Sequence, residues 1–141
     1  MNDTPQPFDI PIEIGPHEGR ELELLLAGKK PLAMFSDVVP PSFEWGEETF
    51  QPHVETGRIV KYEEIIPHAH PALYPGRYVY FALPGEEWRI DRLSAILHLL
   101  FVERQKTTPA IETEIGRLLG YAEHEIAVYV ERFFVARPWE E

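Results

Sequence analysis

The amino-acid sequence predicts an α+β domain: a small, mostly antiparallel sheet of three or four strands packed against about four helices, three of them C-terminal. Three observations lead there. Short apolar or alternating runs bounded by proline and glycine fill the stretch up to Leu83, which is the signature of strands. From Glu86 onward the apolar spacing changes to that of helices. At 141 residues with 44% hydrophobic content, the chain fits one domain with one core, so residues 1–141 are read as a single unit.

Residues 1–14 alternate weakly around Phe8, Ile10, Ile12 and Ile14, with prolines at 5, 7 and 11. Proline cannot donate to a ladder, so this reads as an extended N-terminal arm or an edge strand. Gly15-Pro16 precedes a short helix, about Glu18 to Ala27. Acids occupy its first turns, Gly28 stops it and two lysines follow, matching the helix dipole at both ends.

The run LAMF after Pro31 reads as a buried strand ending near Ser36-Asp37. The following stretch, VVPPSFEWGEETFQPH, reads as a long loop. Thr56 to Ile66 forms a second strand with Ile59 buried, and the aromatic, β-branched run RYVYFAL forms the clearest one. Tyr78 and Tyr80 fall on one face of that strand, and Val79 and Phe81 on the other.

Glu86 to Arg104 reads as one long helix whose apolar positions cover most of its circumference, as expected for a helix covered on more than one side. Thr108-Pro109 supplies a capping hydroxyl and an N1 proline for the next helix, and Gly120 ends it. A last helix runs from about Glu123 to Phe134. The expected core is Phe35, Val79, Phe81, Leu93, Ile96, Leu97, Leu100, Leu118, Ile126 and Phe133.

Composition limits the chemistry. There are no cysteines, so disulfides, thiolate catalysis and Cys-ligated metal centres are excluded. The sequence lacks GxGxxG, a P-loop, GxSxG, HExxH and an EF-hand loop. No apolar run reaches the ~18 residues of a membrane span, and the N-terminus has no signal-peptide pattern. The expected compartment is the cytoplasm.

Net charge is −11. Residues 1–70 carry 13 acids against 5 bases, and residues 71–141 carry 11 against 8, so the excess lies in the first half. Such a field repels nucleic-acid phosphates and anionic membranes and favours a basic protein partner. The helix–turn–helix tract 111–134 also fails as a DNA reader, because Glu123, Glu125 and Glu131 dominate the outer face of its second helix.

The region 37–64 concentrates seven acids and two bases, with aromatic residues among the acids. Aromatic anchors within an acidic rim suit docking to a basic protein, in the manner of inhibitors, immunity proteins and adaptors. The expected partner-binding residues are Phe43, Glu44, Trp45, Glu47, Glu48, Phe50 and Glu55, with no catalytic residues and no cofactor. The competing expectation is a small metal-dependent or acid–base enzyme. There His68 and His70, two apart on an extended segment, share a divalent metal with help from His53, Glu55, Glu63 or Glu64. His98, among leucines in the long helix, reads as a residue that satisfies one hydrogen bond. A homodimer through the sheet edge or last helix, using Phe134 and Trp139, is the third expectation.

Overall fold

The computed structural model describes residues 19–39, 46–68 and 73–135. The N-terminal arm expected at 1–14 lies outside them.

Helix α1 spans Glu21–Leu26, and strand β1 spans Leu32–Val38. A 3-10 turn, Glu47–Thr49, leads into a short helix α2, Gln51–Glu55. Strands β2 (Val60–Ile66) and β3 (Gly76–Ala82) precede three helices: α3 (Glu87–Phe101), α4 (Pro109–Leu119) and α5 (Glu123–Val135). The fold is therefore α+β, with an antiparallel three-stranded sheet and three C-terminal helices.

The strand order is β1-β3-β2, so β3 is central and both neighbours run antiparallel to it. The register sets Phe35 and Glu63 beside Val79, and Met34 and Tyr62 beside Tyr80. Period-two alternation then sorts the side chains onto two faces. One face carries Leu32, Ile66, Tyr80 and Ala82 into a core completed by Ile90, Leu93, Ile96, Leu97 and Leu118 of α3 and α4. The other carries Ala33, Val79 and Phe81 into a core with Leu25, Phe50 and Ile59. The sheet is thus the middle layer, with long helices on one side and short segments on the other.

Six of the ten expected core residues pack fully inside one of these two clusters: Val79, Phe81, Leu93, Ile96, Leu97 and Leu118. Ile126 is buried as well, and Phe35 and Leu100 pack at cluster margins. Helix α3 departs from the all-round coverage its composition suggested. Trp88, Phe101 and Val102 at its two ends remain exposed, whereas Ile90, Leu93, Ile96 and Leu97 between them are buried.

Local signals govern α4. Thr108 Oγ1 accepts the amide of Ile111, Pro109 occupies the first turn, and Gly120 closes the helix with φ +88°. A β-carbon at Gly120 would lie 2.5 Å from Pro31 Cδ, so the turn presses directly on the entry to β1. Lys30 completes that junction. It is fully buried, its Nζ donates to the carbonyl of Leu119 at 2.5 Å, and it lies 4.8 Å from the Tyr121 ring centre. Burial pulls its ammonium down to about 8, and the nearby Glu21 charge opposes that shift.

Candidate functional site

The segment 46–55 is a short folded element, where the sequence suggested an extended loop. Gly46 adopts φ +83°, which starts the 3-10 turn, and the Thr49 hydroxyl donates back to the Gly46 carbonyl. Phe50 then enters the core. Its ring stacks on Phe81 with centroids 4.3 Å apart and meets Phe35 edge-on at 5.5 Å. Only 4% of it is exposed. The expectation that Phe50 anchors a partner is therefore corrected: burial against the protein's own sheet removes it from the surface. Its apolar ring gains more from the Val79–Phe81 face than from solvent.

Phe50 also dictates where its neighbours point. Glu48 and Glu55 face solvent, and Glu55 accepts a hydrogen bond from Gln51. Glu47 turns the other way. Its carboxylate receives a two-pronged hydrogen bond from Arg77, at 2.8 and 2.7 Å, and another from Lys61 at 2.9 Å. The Arg77 guanidinium, then Lys61, hold its carboxyl down at about 2 against the opposing effect of burial. Arg77 also donates to Glu63 at 2.8 Å, and both carboxylates hold its own proton more firmly than usual. These four groups form an ion network on the Phe81 face of the sheet. Of the other expected partner-binding residues, Phe43, Glu44 and Trp45 lie outside the described residues.

His68 is exposed just beyond β2, and His70 lies outside the described residues. Glu63 is held by Arg77, and Glu64 points to the opposite face of the sheet. Among the described residues, no group of three or more histidine or acidic side chains is arranged to hold a metal ion.

The cluster that sequence reading missed centres on Glu64. Its Oε2 accepts the Tyr80 hydroxyl at 2.5 Å and the Ser94 hydroxyl at 2.7 Å, and its Oε1 lies 2.8 Å from His98 Nε2. Burial alone would raise the Glu64 carboxyl. The hydrogen bonds from Tyr80, His98 and Ser94 outweigh it and hold the group below the usual carboxylate range. Burial pushes the Tyr80 and Tyr78 hydroxyls up, and the Glu64 charge adds to both shifts.

Two signals for this cluster were present in the sequence. Glu64 occupies the same inward phase of its strand as Ile66, and Ser94 and His98 lie one turn apart on α3. A carboxylate-oriented imidazole can move a proton. Here the Tyr80 and Ser94 hydroxyls both direct their protons at Glu64, so neither is poised as a nucleophile beside the ring. The arrangement is a polar clamp between α3 and the sheet.

The strand face that carries Tyr78 and Tyr80 is covered by α3. Tyr80 is fully buried under α3, and Tyr78 stacks on Phe101 with centroids 6.1 Å apart. Large apolar side chains stay exposed nearby: Tyr62 and Ile65 on β2, Leu73 and Tyr74 just before β3, and Phe101 and Val102 at the end of α3. A cavity of about 120 Å³ opens between α4 and α5, lined mainly by Ile115, Leu119, Ile126, Tyr121 and Tyr129. Phe134, expected at a dimer interface, packs against Phe133, and Trp139 lies outside the described residues.

No helix among the described residues is long and apolar enough to cross a membrane. Comparison with protein-family models, with curated proteins and with solved structures finds no match.

Proposed function

We propose that this chain is a non-enzymatic docking module, of the inhibitor, immunity or adaptor kind, that binds a basic protein through the surface carried by residues 46–66. One observation carries the reading. Phe50 pins the 46–55 segment to the sheet so that Glu48 and Glu55 project outward, on the face of the sheet where β2 exposes Ile65. A preorganised acidic surface with a neighbouring apolar side chain costs little ordering entropy on binding and suits a positively charged partner. The net charge of −11 would steer such a partner toward it.

Glu47 has a different part in this reading. Its charge is already matched by Arg77 and Lys61, so it holds the segment in place and is not a docking group. Within the 46–55 segment the docking acids are Glu48 and Glu55.

Affinity capture from extracts of the native host, at low and moderate salt, tests the proposal. The natural chain and the Glu48→Lys/Glu55→Lys variant are compared side by side, with circular dichroism confirming equal folding. The expected result is a basic protein retained at low salt, depleted at moderate salt and lost by the variant. Recovery of no basic protein at either salt, or equal recovery by the variant, overturns the reading.

A further inference from the structure

The outer edge of β2 is the part of this surface that the ion network leaves open. Among the described residues no strand pairs with its outer side, since β3 is its sole neighbour in the sheet. Its seven residues keep an unbroken register with β3, and it contains no proline. Natural edges are normally blunted by charged side chains, proline or a bulge.

β2 does contain Lys61, Glu63 and Glu64, yet two of these are drawn inward. Lys61 reaches to Glu47, and its side chain is 23% exposed. Glu64 is turned under α3 and is 12% exposed. What β2 presents outward is Tyr62, Glu63 and Ile65, each about half exposed.

We propose that this edge is a strand-addition site. It takes an extended segment of the basic partner as a fourth antiparallel strand. The inference rests on the docking reading above and names the kind of segment recognised. Main-chain pairing supplies affinity, and alternate side chains supply selectivity.

Antiparallel register translates β2 into a partner pattern. Opposite Ile65, Glu64, Glu63 and Tyr62, the segment carries an apolar residue, any residue, a lysine or arginine, and an apolar residue, in that order. A basic residue is placed there because Glu63, although Arg77 and Lys61 bridge to it as they do to Glu47, is the most exposed member of the network: its side chain is 49% exposed, against 30% for Glu47, 25% for Arg77 and 23% for Lys61. The apolar residues cover Tyr62 on the α3 face and Ile65 on the other. A second copy of this chain fits less well. Full-length antiparallel self-pairing of β2 sets Glu63 against Glu63, a like-charge contact.

The test uses the full chain and a short blocked peptide with valine opposite Ile65, threonine opposite Glu64, lysine opposite Glu63 and valine opposite Tyr62. Amide hydrogen exchange is followed residue by residue. At a peptide concentration of about ten times Kd, exchange within Val60–Ile66 slows about tenfold, and the protection vanishes when the peptide lysine is replaced by glutamate.

Glu63→Gln and Ile65→Thr each weaken binding severalfold while circular dichroism stays unchanged. Using two separate variants guards against a folding defect from loss of the Arg77 contact. No protection of β2 at saturating peptide overturns the proposal, as does equal protection by the glutamate peptide. So does a dimer by light scattering whose β2 amides are protected without peptide. The two readings fail separately: capture without a basic partner sinks the docking reading alone, and an unprotected β2 sinks strand addition even where a partner is captured.

Discussion

His98 Nε2 lies 2.8 Å from Glu64 Oε1, which ties the last turn of α3 to an edge strand through a carboxylate already accepting the hydroxyls of Tyr80 and Ser94. Removing the carboxylate strands a fully buried tyrosine hydroxyl and frees two further donors. Glu64→Ala is expected to cost about 3 kcal/mol, and His98→Ala, at a half-exposed position, about 1 kcal/mol. Urea unfolding midpoints measure both. Equal losses would show that the clamp depends on the ring and not on the buried hydroxyl.

Acid sensitivity follows from Glu47. Its folded-state carboxyl titrates at about 2, below its ordinary value of 4.5. The unfolded chain therefore takes up the proton first as pH falls. The stabilisation is complete above about pH 4.5 and is lost toward pH 2. Glu47→Gln should flatten the acid limb of a stability–pH curve between those values, with little change in its shape at neutral pH.

Lys30 predicts the opposite end of the curve. Its folded-state ammonium titrates at about 8, against 10.5 for an ordinary lysine. Between those values the unfolded chain binds the extra proton, so stability rises with pH across that window. The rise should be on the order of 2 kcal/mol. Lys30→Met keeps a long apolar side chain and removes the titration, so its stability should be level over the same range.

Gly120 and Gly28 form a matched pair. Both have positive φ, +88° and +72°, but only Gly120 has a neighbour in the way, Pro31 Cδ at 2.5 Å from a built β-carbon. Alanine at Gly28 should cost about 1 kcal/mol for backbone strain alone. Alanine at Gly120 should cost about 1–3 kcal/mol more, because Pro31 and the start of β1 must move. Thermal unfolding of the two variants isolates the contact.

Phe50 distinguishes a core residue from a docking residue. Phe50→Ala should cost about 3–5 kcal/mol, since the ring fills space between Phe35 and Phe81. A surface anchor would cost almost nothing in the isolated chain.

The parts of the fold that were legible in the sequence are those written locally. Thr108, Pro109 and Gly120 bracket α4 with caps that act within a few residues, and β3 declares itself through an unbroken aromatic and β-branched run. The 46–55 segment was opaque because EETFQPHVE has the composition of a loop, and its helical turn depends on Phe50 finding Phe81, a contact set by the tertiary fold. Its residual signal is the spacing of Phe50, Val54 and Ile59, which face one core. Glu64 and His98 are 34 residues apart. Their pairing exists only once α3 lies across β2, so the histidine was legible as a hydrogen-bonding group but its partner was not.

The sheet order β1-β3-β2 places the central strand last in the chain. During synthesis, β1 and β2 emerge before the one strand that each of them pairs with in the finished sheet. Leu32 and Ile66 thus leave the ribosome before the residues of β3 and α3 that bury them, whereas Ala33 and Ile59 already have Leu25 and Phe50 as native neighbours. Sheet assembly must wait for that strand. A nascent chain halted before it holds two edge strands with no strand between them.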